Sequence, residues 1–359
     1  MISLRLSHLR NFLDEQKVNA ALISKPENVR YFSGFTGDST MLIITHKRNI
    51  LITDGRYIEQ AEAEAPKFEV IRQDDGLIIK VADTLNDIGM RSIGIEGNYM
   101  TVNQRDKLLE HTDKLKLKLT SIAVDELRQV KDETEIANIQ RACDIADKAF
   151  DDIIKFIRPG VSEIEVAARL EHVMRQLGSF KPAFDTIVAS GLRGTMPHAT
   201  ASNKIIKAGE FVTMDFGAIY NGYHSDITRT VFVGRADNKQ RKLYETVLDA
   251  QLFALTVIKV GSLGKDIDAK VRTHFEKSGL TKYFIHGLGH GVGLEIHEEP
   301  RLSKTSTSEA LKANMIVTDE PGIYIPDVGG VRIEDTVLVT DNVAIPLTHS
   351  NKKLLELKN

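Results

Sequence analysis

The chain has 359 residues, of which 42% are hydrophobic and 27% charged, and its formal net charge is -3. This length and composition indicate a globular protein with two domains and exclude a disordered or fibrous chain. The small net charge gives no electrostatic reason to expect a nucleic-acid partner or a membrane surface. No apolar stretch approaches the roughly eighteen residues of a membrane-spanning helix.

The start of the chain and the cysteine content favour a cytoplasmic location. Residues 1–20 alternate apolar and charged side chains and lack the apolar block that is typical of a signal peptide. The single cysteine, Cys143, excludes an internal disulfide and fits a reducing compartment. We therefore expect a cytoplasmic protein.

An N-terminal α/β domain is predicted for residues 1–125. Short apolar runs are typical of buried strands, and they occur at 20–24, 41–46, 49–53 and 92–96. Stretches with the apolar spacing of helices occur at 3–16, 57–64 and 102–111.

A second domain, residues 126–359, is predicted from a change of pattern near residue 126. Apolar side chains recur every three or four positions between residues 136 and 157, which predicts an amphipathic helix. Cys143 lies on this apolar stripe, so we expect a buried side chain rather than a nucleophile. Another helix is expected from Ser162 onward, because Ser162 and Glu165 have the spacing of a capping box.

Two segments of the second domain, 157–178 and 258–279, resemble each other weakly. Each is followed, at nearly the same distance, by a histidine, His198 and His297 respectively. This similarity raises the hypothesis of a structural duplication. Two further stretches have helical spacing, 239–259 and 265–277.

Residues 211–233 contain two strand-like runs around an Asn-Gly dipeptide at 221–222, which is typical of a tight hairpin turn. With this dipeptide at the turn, Asp215 pairs with Thr228, and Asp226 becomes a diagonal neighbour of Asp215. Two carboxylates placed so close repel each other unless a proton or a cation lies between them. The alternative is that both aspartates merely border solvent.

The stretch HGLGHGVGLEIHEEP, residues 286–300, holds three histidines and four glycines. It is too rich in glycine for a stable helix, and a core strand does not require three histidines. The glycines indicate a backbone that bends to bring side chains close to a ligand.

Residues 318–340 add two glutamates, Glu320 before a Pro-Gly dipeptide and Glu334 within the strand-like run VRIEDTVLV. Alternation along a continuous strand would place Glu334 on the same face as Arg332 and Thr336. With the two hairpin aspartates and one histidine, these glutamates form an oxygen-rich ligand set that suits Mn²⁺-like ions. Two bridged ions would lower the pKa of a shared water.

The ordered motifs MDFGAIYNGYHSD, HGLGHGVGLEIHEEP, DEPGIY and VRIED resemble the pita-bread metallopeptidases, which include aminopeptidase P, prolidase and methionine aminopeptidase. The similarity covers about residues 131–350, and both the order and the spacing of the motifs agree. It implies two divalent metal ions, with Mn²⁺ favoured and Co²⁺ or Zn²⁺ as alternatives. The implied metal ligands are Asp215, Asp226, His290, Glu320 and Glu334.

The same resemblance implies roles for residues around the metal ions. Asp319 is adjacent to Glu320, but the family's ligand directly precedes Pro-Gly, so Glu320 is the implied ligand. Glu320 is also implied as a proton shuttle, and two histidines as contacts to the scissile group. The implied catalytic residues are His198, His297 and Glu320, and the implied substrate-binding residues are His286 and Arg332.

The N-terminal motifs distinguish the branches of this family. ENVRYFSGFTGDS at 27–39 and LITDGRYIEQAEAE at 51–64 resemble the extra domain of aminopeptidase P, prolidase and creatinase, which methionine aminopeptidases lack. The resemblance thus implies an α/β (α+β) protein, with a creatinase/prolidase-type domain before a pita-bread catalytic domain. It also implies a homodimer. His224 in NGYHSD matches a methionine aminopeptidase equally well, and we interpret it as a hairpin residue.

The leading interpretation is a two-metal exopeptidase that cleaves the Xaa-Pro bond of dipeptides or of peptide N-termini. The alternatives are a creatinase-like C–N hydrolase that works without metals, a non-catalytic peptide-binding protein and a methionine aminopeptidase. Retention of all five ligand-type residues argues against the first two alternatives. The sequence leaves open whether dipeptides or longer peptides are preferred.

Overall fold

A computed structural model describes residues 1–358, and the chain divides into two compact units, Met1–Arg128 and Gln129–Asn359. Both units are mixed α/β, as the composition and the apolar patterns predict. No helix in the described part of the chain is both long and apolar enough to cross a membrane.

The first unit contains a six-stranded sheet. Its strands are β1 (Ala20–Ile23), β2 (Met41–Thr45), β3 (Asn49–Asp54), β4 (Glu69–Gln73), β5 (Ser92–Ile95) and β6 (Lys118–Ser121). Their order is β4-β3-β2-β1-β5-β6, in which β2 is antiparallel to both of its neighbours and the other pairs are parallel. The helices are α1 (Ile2–Glu15), α2 (Pro26–Ser33), α3 (Ile58–Glu64), α4 (Leu77–Asp87) and α5 (Val102–His111).

The four predicted strands of this unit are confirmed as β1, β2, β3 and β5, and the three predicted helices as α1, α3 and α5. The two strands that the sequence does not reveal, β4 and β6, are the edges of the sheet. None of their side chains is fully buried, so neither strand has the apolar run that identifies a central strand.

The second unit contains two helix pairs and two sheets. The helices are α6 (Glu133–Phe156), α7 (Glu163–Gln176), α8 (Asn238–Val257) and α9 (Gly264–Glu276). The first sheet, ordered β19-β11-β8-β7, consists of β7 (Ile187–Ser190), β8 (Phe211–Phe216), β11 (Ile227–Val233) and β19 (Glu356–Leu357). The second, ordered β13-β12-β14-β17-β18, consists of β12 (Gly289–Gly291), β13 (Glu298–Leu302), β14 (Ile316–Asp319), β17 (Asp335–Leu338) and β18 (Ile345–Pro346).

Two short ribbons complete the unit, β9 (Ile219–Tyr220) with β10 (Tyr223–His224) and β15 (Gly322–Ile325) with β16 (Gly329–Arg332). Each helix pair covers one sheet with a separate apolar core. Phe150 and Leu170 belong to the core that includes Met214 of the first sheet, whereas Val271 belongs to the core that includes Val317 of the second. Cys143 is fully buried, as predicted from its place on the apolar stripe of α6.

The hypothesis of a structural duplication is supported by the positions of the two similar segments. Each starts at the residue that ends the first helix of a pair, Ile157 for α6 and Ile258 for α8. Each then runs through a turn and the second helix, α7 or α9. Both helix pairs precede antiparallel strands, as a duplication would require, and the duplication stays a hypothesis.

The predicted hairpin register is confirmed. Tyr220 pairs with Tyr223, and Asp215 pairs with Thr228. Asp226 lies two residues after the end of β10 and directly precedes β11. His224 lies in the hairpin, where its Nδ1 is 3.2 Å from the carbonyl oxygen of Gly293.

The prediction of one continuous strand over VRIEDTVLV is wrong, because the run divides into β16 and β17, which lie in different sheets. The chain leaves β16 after Arg332 and enters β17 at Asp335. Between them, the Glu334 amide donates to the carbonyl oxygen of Thr228, 3.1 Å away. Glu334 therefore occupies the crossing between two sheets.

Candidate metal centre and substrate pocket

The five side chains predicted to bind metal come together where the two sheets meet. Their positions are Asp215 on β8, Asp226 before β11, His290 on β12, Glu320 after β14 and Glu334 between β16 and β17. The Thr336 hydroxyl of the second sheet donates to the carbonyl oxygen of Asp226, at 2.7 Å. This bond and the one between Glu334 and Thr228 fix the two sheets to each other at the site.

Three carboxylates form the centre of the cluster. Oxygens of Asp215, Asp226 and Glu334 all lie within 4.8 Å of one another. Burial, reinforced by the neighbouring carboxylates, raises the pKa of Asp226 and of Glu334 well above the ordinary range. Such a cluster requires either shared protons or a positive charge between the oxygens.

His290 and Glu320 border this cluster. The Nε2 atom of His290 is 3.5 Å from Oδ2 of Asp226 and 3.6 Å from Oε1 of Glu320. Burial lowers the pKa of His290 to about 3, so the ring is neutral near pH 7. Its Nδ1 lies 3.0 Å from the carbonyl oxygen of Gly291, which assigns the ring proton to Nδ1 and leaves the Nε2 lone pair facing the carboxylates.

The residues present fit divalent metal ions. Oδ1 of Asp215 is buried without a hydrogen-bond partner among the described residues, although a buried carboxylate oxygen normally has one. The other oxygen of this carboxylate, Oδ2, accepts a hydrogen bond from the Arg332 guanidinium at 2.7 Å. Carboxylate oxygens with one imidazole nitrogen are the donors that Mn²⁺-like ions prefer.

A hydrogen-bonded chain links the pocket wall to the cluster. Arg332 donates to the hydroxyl of Tyr324 at 2.7 Å, and that hydroxyl lies 2.9 Å from Nε2 of His286. Arg332 also donates to Oγ1 of Thr228, which in turn donates to Glu334 at 2.6 Å. Arg332 is therefore occupied by protein oxygens, and it orients two of the carboxylates.

Three of the five predicted metal ligands, Asp215, His290 and Glu320, line a pocket of about 280 Å³. His198 and His297 line this pocket, as the sequence predicts, together with His286 and Arg332. The His297 ring packs edge-on against His290, with a centroid distance of 4.3 Å. The His198 side chain is exposed and makes no hydrogen bond within the described chain, so both of its ring nitrogens are available.

Arg301 is a pocket residue that the sequence does not single out. It lines the pocket and is exposed, and its guanidinium has no hydrogen-bond or ion-pair partner among residues 1–358. Its place directly after the predicted motif does not predict this, because an arginine on a strand is commonly a solvent-facing residue. It supplies a positive charge to the pocket wall that no direct ion pair within the described chain engages.

A second buried polar cluster supports the strands that carry the glutamates. Asp335 accepts hydrogen bonds from Arg229 at 2.7 Å, Lys352 at 2.5 Å and Gln251 at 3.0 Å. Its amide donates to Asp319 at 3.1 Å, which joins β17 to β14. Glu334 and Glu320 are the immediate neighbours of this joined pair, so their backbones are fixed.

The glycines of β12 are explained by close packing rather than by a bend. A Cβ atom on Gly289 would overlap the carbonyl oxygen of Thr318, and one on Gly291 would overlap that of Glu299. His290 stands between these glycines on an extended strand. The neighbouring strands approach it closely for this reason, and the expected bend lies outside β12, over residues 293–297, where the chain returns to β13 and brings the His297 ring against His290.

Comparisons with known proteins agree with this fold and site. Residues 137–341 match the family model of metallopeptidase family M24, and residues 5–130 match that of the creatinase/prolidase N-terminal domain. The chain is 42% identical to an Xaa-Pro dipeptidase of Pyrococcus furiosus over 98% of its own length and 99% of that protein.

Two solved structures are similar over nearly their whole length. An Xaa-Pro dipeptidase from Bacillus anthracis superimposes with a TM-score of 0.96 at 42% identity, covering 99% of this chain and 100% of that one. An X-Pro aminopeptidase from Thermotoga maritima gives a TM-score of 0.90 at 36% identity, covering 98% and 99%.

The fold and these matches define a metal-dependent peptidase with divalent metal ions. The chain belongs to metallopeptidase family M24, with a creatinase/prolidase-type domain before the catalytic domain. This confirms the family and the fold class predicted from the motifs. The roles of individual residues in the site stay predictions.

Proposed function

We propose that this protein is a dinuclear-metal exopeptidase that hydrolyses the Xaa-Pro bond, and that dipeptides are its preferred substrates. The observation that carries the proposal is a small pocket that is lined by Asp215 and Glu320 of the carboxylate cluster and by the guanidinium of Arg301, which forms no ion pair within the described chain. The similarity to the dipeptidases of Pyrococcus furiosus and Bacillus anthracis supports the same substrate class.

Five side chains would hold the two ions, which we propose to be Mn²⁺: Asp215, Asp226, His290, Glu320 and Glu334. When bound, the ions would polarise the scissile carbonyl and lower the pKa of a water molecule. The preference for Mn²⁺ is supported by the hard, mostly carboxylate donor set. Thr228, through its bond to Glu334, would hold that carboxylate in one orientation.

Three residues would act on the substrate or on protons. His297, packed against His290, would donate to the developing oxyanion. His198, with both ring nitrogens available, would meet the scissile nitrogen. Glu320 lines the pocket beside His290, and this position would let its carboxylate take up and return a proton at the scissile bond.

Selectivity for proline has a physical basis in this pocket. A bond to proline has no N–H, so the enzyme cannot select it by accepting a hydrogen bond there. Selection must come from the shape of the wall, which His286 and Arg332 help to form, and from recognition of the group after the ring. Because Arg332 already makes four hydrogen bonds to protein oxygens, we assign the free carboxylate of a dipeptide to Arg301.

Hydrolysis of Ala-Pro compared with Ala-Pro-amide tests the proposal. The Mn²⁺-loaded protein is expected to prefer Ala-Pro by about tenfold or more, since a charge-assisted pair is lost in the amide. Arg301→Leu should remove this preference, whereas Lys304→Leu, which deletes the same charge on a nearby exposed side chain, should keep it. Equal rates on both substrates in the unmodified protein would instead indicate an aminopeptidase-type specificity.

The proposal also covers the domain boundaries, the oligomeric state and the cellular location of the protein. We propose two domains, residues 1–125 and 126–359, a homodimer and a cytoplasmic location. The motif resemblance supports the dimer, and the single buried Cys143 fits a reducing compartment. Sedimentation velocity of the full chain distinguishes a dimer near 80 kDa, about twice the 40.0 kDa of one chain, from a monomer.

A further inference from the structure

The segment that carries His198 has little regular structure of its own. Residues 191–202, which we call the His198 loop, leave β7 and contain one 3-10 turn at Gly191–Thr195. The side chain of His198 is exposed, and no hydrogen bond from the described chain holds its ring. The direction of this imidazole therefore depends on how the backbone of the loop is fixed.

Both ends of the His198 loop are held by one carboxylate, that of Glu163. Its Oε1 accepts the amide of Ser190 at 2.7 Å and the hydroxyl of Ser190 at 2.9 Å, directly before the loop. Its Oε2 accepts Nε of Arg193, near the start of the loop, at 2.9 Å, and the hydroxyl of Ser202, at the far end, at 2.6 Å. A single side chain on the first turn of α7 thus closes the loop.

Other contacts extend this closure toward His198. Arg193, held by Glu163, donates to the carbonyl oxygen of Thr200 at 2.6 Å and so spans the loop. Arg332 donates to the carbonyl oxygen of Pro197 at 3.3 Å, on the pocket side. Both arginines donate to backbone carbonyl oxygens on either side of His198. The backbone of the loop is therefore held in place, whereas the histidine ring itself is not.

The burial of Glu163 indicates that its hydrogen bonds to the His198 loop do more than fill space in the core. The side chain is 0% exposed, and a buried carboxylate is costly unless hydrogen bonds and a counter-charge compensate it. All four of its bonds go to the two ends of the His198 loop. An apolar side chain could fill the same space but could not join both ends.

We propose that Glu163 is a positioning residue that fixes the His198 loop and thereby holds His198 over the reacting bond. Glu163 does not line the pocket, so it acts on the substrate only through the loop. The inference rests on the proposed Xaa-Pro peptidase function. Displacement of a reacting group by about 1 Å can lower a rate about a hundredfold, so a flexible loop has a measurable kinetic cost.

The test compares Glu163→Gln with a matched control, Glu165→Gln. The glutamine in place of Glu163 presents an amide donor where Arg193 and Ser202 donate, so the far end of the loop is released. Glu165 lies on the same helical turn and is exposed, and a glutamine there preserves its capping bond to Ser162. Only Glu163→Gln is expected to lower kcat, by about ten- to a hundredfold, with metal content and KM near those of the unmodified protein.

A double-mutant comparison separates positioning from general stability. If Glu163 acts through His198, the variant that combines Glu163→Gln with His198→Ala is no slower than His198→Ala alone. Multiplied losses, or full activity of His198→Ala, would overturn the proposal. Thermal unfolding of Glu163→Gln serves as the accompanying measure of global stability.

Amide hydrogen exchange provides a readout that is independent of activity. Faster exchange in Glu163→Gln confined to residues 190–202 supports the proposal, and faster exchange spread over the second unit contradicts it. If the unmodified protein does not cleave Xaa-Pro bonds, the proposed function fails, but the exchange experiment still decides whether Glu163 fixes the loop.

Discussion

Asp226 and Glu334 are the side chains on which the site depends most, because each is almost fully buried beside other carboxylates. Burial and mutual repulsion favour their neutral forms, and a bound divalent cation would reverse that preference. The ionisation of these two carboxyl groups should therefore depend on whether a metal ion is bound.

Replacing either carboxylate with its amide tests this link. Asp226→Asn and Glu334→Gln keep the volume but remove a negative charge, so each should lower metal affinity and kcat. The loss should exceed the roughly 10- to 100-fold that a residue supporting a ligand costs. Metal content per chain after gel filtration is the measurement, with Asp341→Asn as an exposed control. Normal metal content in both variants would mean that these ligands are misassigned.

The histidines of the pocket should separate into two groups. His290 presents an unprotonated nitrogen to the carboxylates, so His290→Ala should lose metal. His198 and His297 face the pocket instead, so their alanine variants should retain metal and lose about 10²- to 10⁴-fold in kcat. Elemental analysis beside steady-state kinetics distinguishes the groups, and equal metal loss in all three variants would contradict the division.

For individual residues, the sequence predicts correctly which side chains come together when they lie on the same hairpin. The Asn-Gly turn sets a register that brings Asp215 and Asp226 together, and the structure has that register. Two other features depend on segments that are far apart in the chain. These are the hydrogen bond from Ser202 to Glu163 and the position of Arg301 in the pocket wall. No spacing rule connects such segments, so the sequence reveals neither.

At the scale of elements, the site depends on hydrogen bonds that connect strands β11 and β17 beside the predicted metal ligands. Asp335 on β17 is fully buried, and Arg229 on β11 donates both to it and to the carbonyl oxygen of Glu334. This buried pair connects the first sheet to the second directly behind Glu334. The sequence predicts a continuous strand here, because apolar alternation persists while the chain changes sheets.

Removal of Arg229 should destabilise the protein strongly. Arg229→Met leaves Asp335 buried with fewer donors, and breaking a buried pair in this way costs about 3–5 kcal/mol. Arg241→Met breaks the more exposed pair with Glu356, which solvent screens, and should cost much less. Urea unfolding of the two variants gives the comparison, and similar midpoints would show that the Arg229 pair does not join the sheets.

At the scale of the whole molecule, metal binding and stability should be coupled. A ligand that binds only the folded state at about 100 times its Kd adds about 2.7 kcal/mol to the free energy of unfolding. Chelation should therefore lower the Tm of the protein, and Mn²⁺ should restore it. Asp226→Asn should show a much smaller shift under the same conditions. A Tm unchanged by chelation, with metal loss verified, would contradict the coupling.

The central claim is that this metallopeptidase selects proline after the scissile bond. Its most direct test is kcat/KM for Ala-Pro against Ala-Ala, measured on protein that has been stripped with a chelator and reloaded with Mn²⁺. We expect Ala-Pro to be favoured by roughly two orders of magnitude, and both activities to vanish in the stripped protein. Comparable values for the two dipeptides, or faster cleavage of Met-Ala-Ser than of Met-Pro, would contradict the assignment.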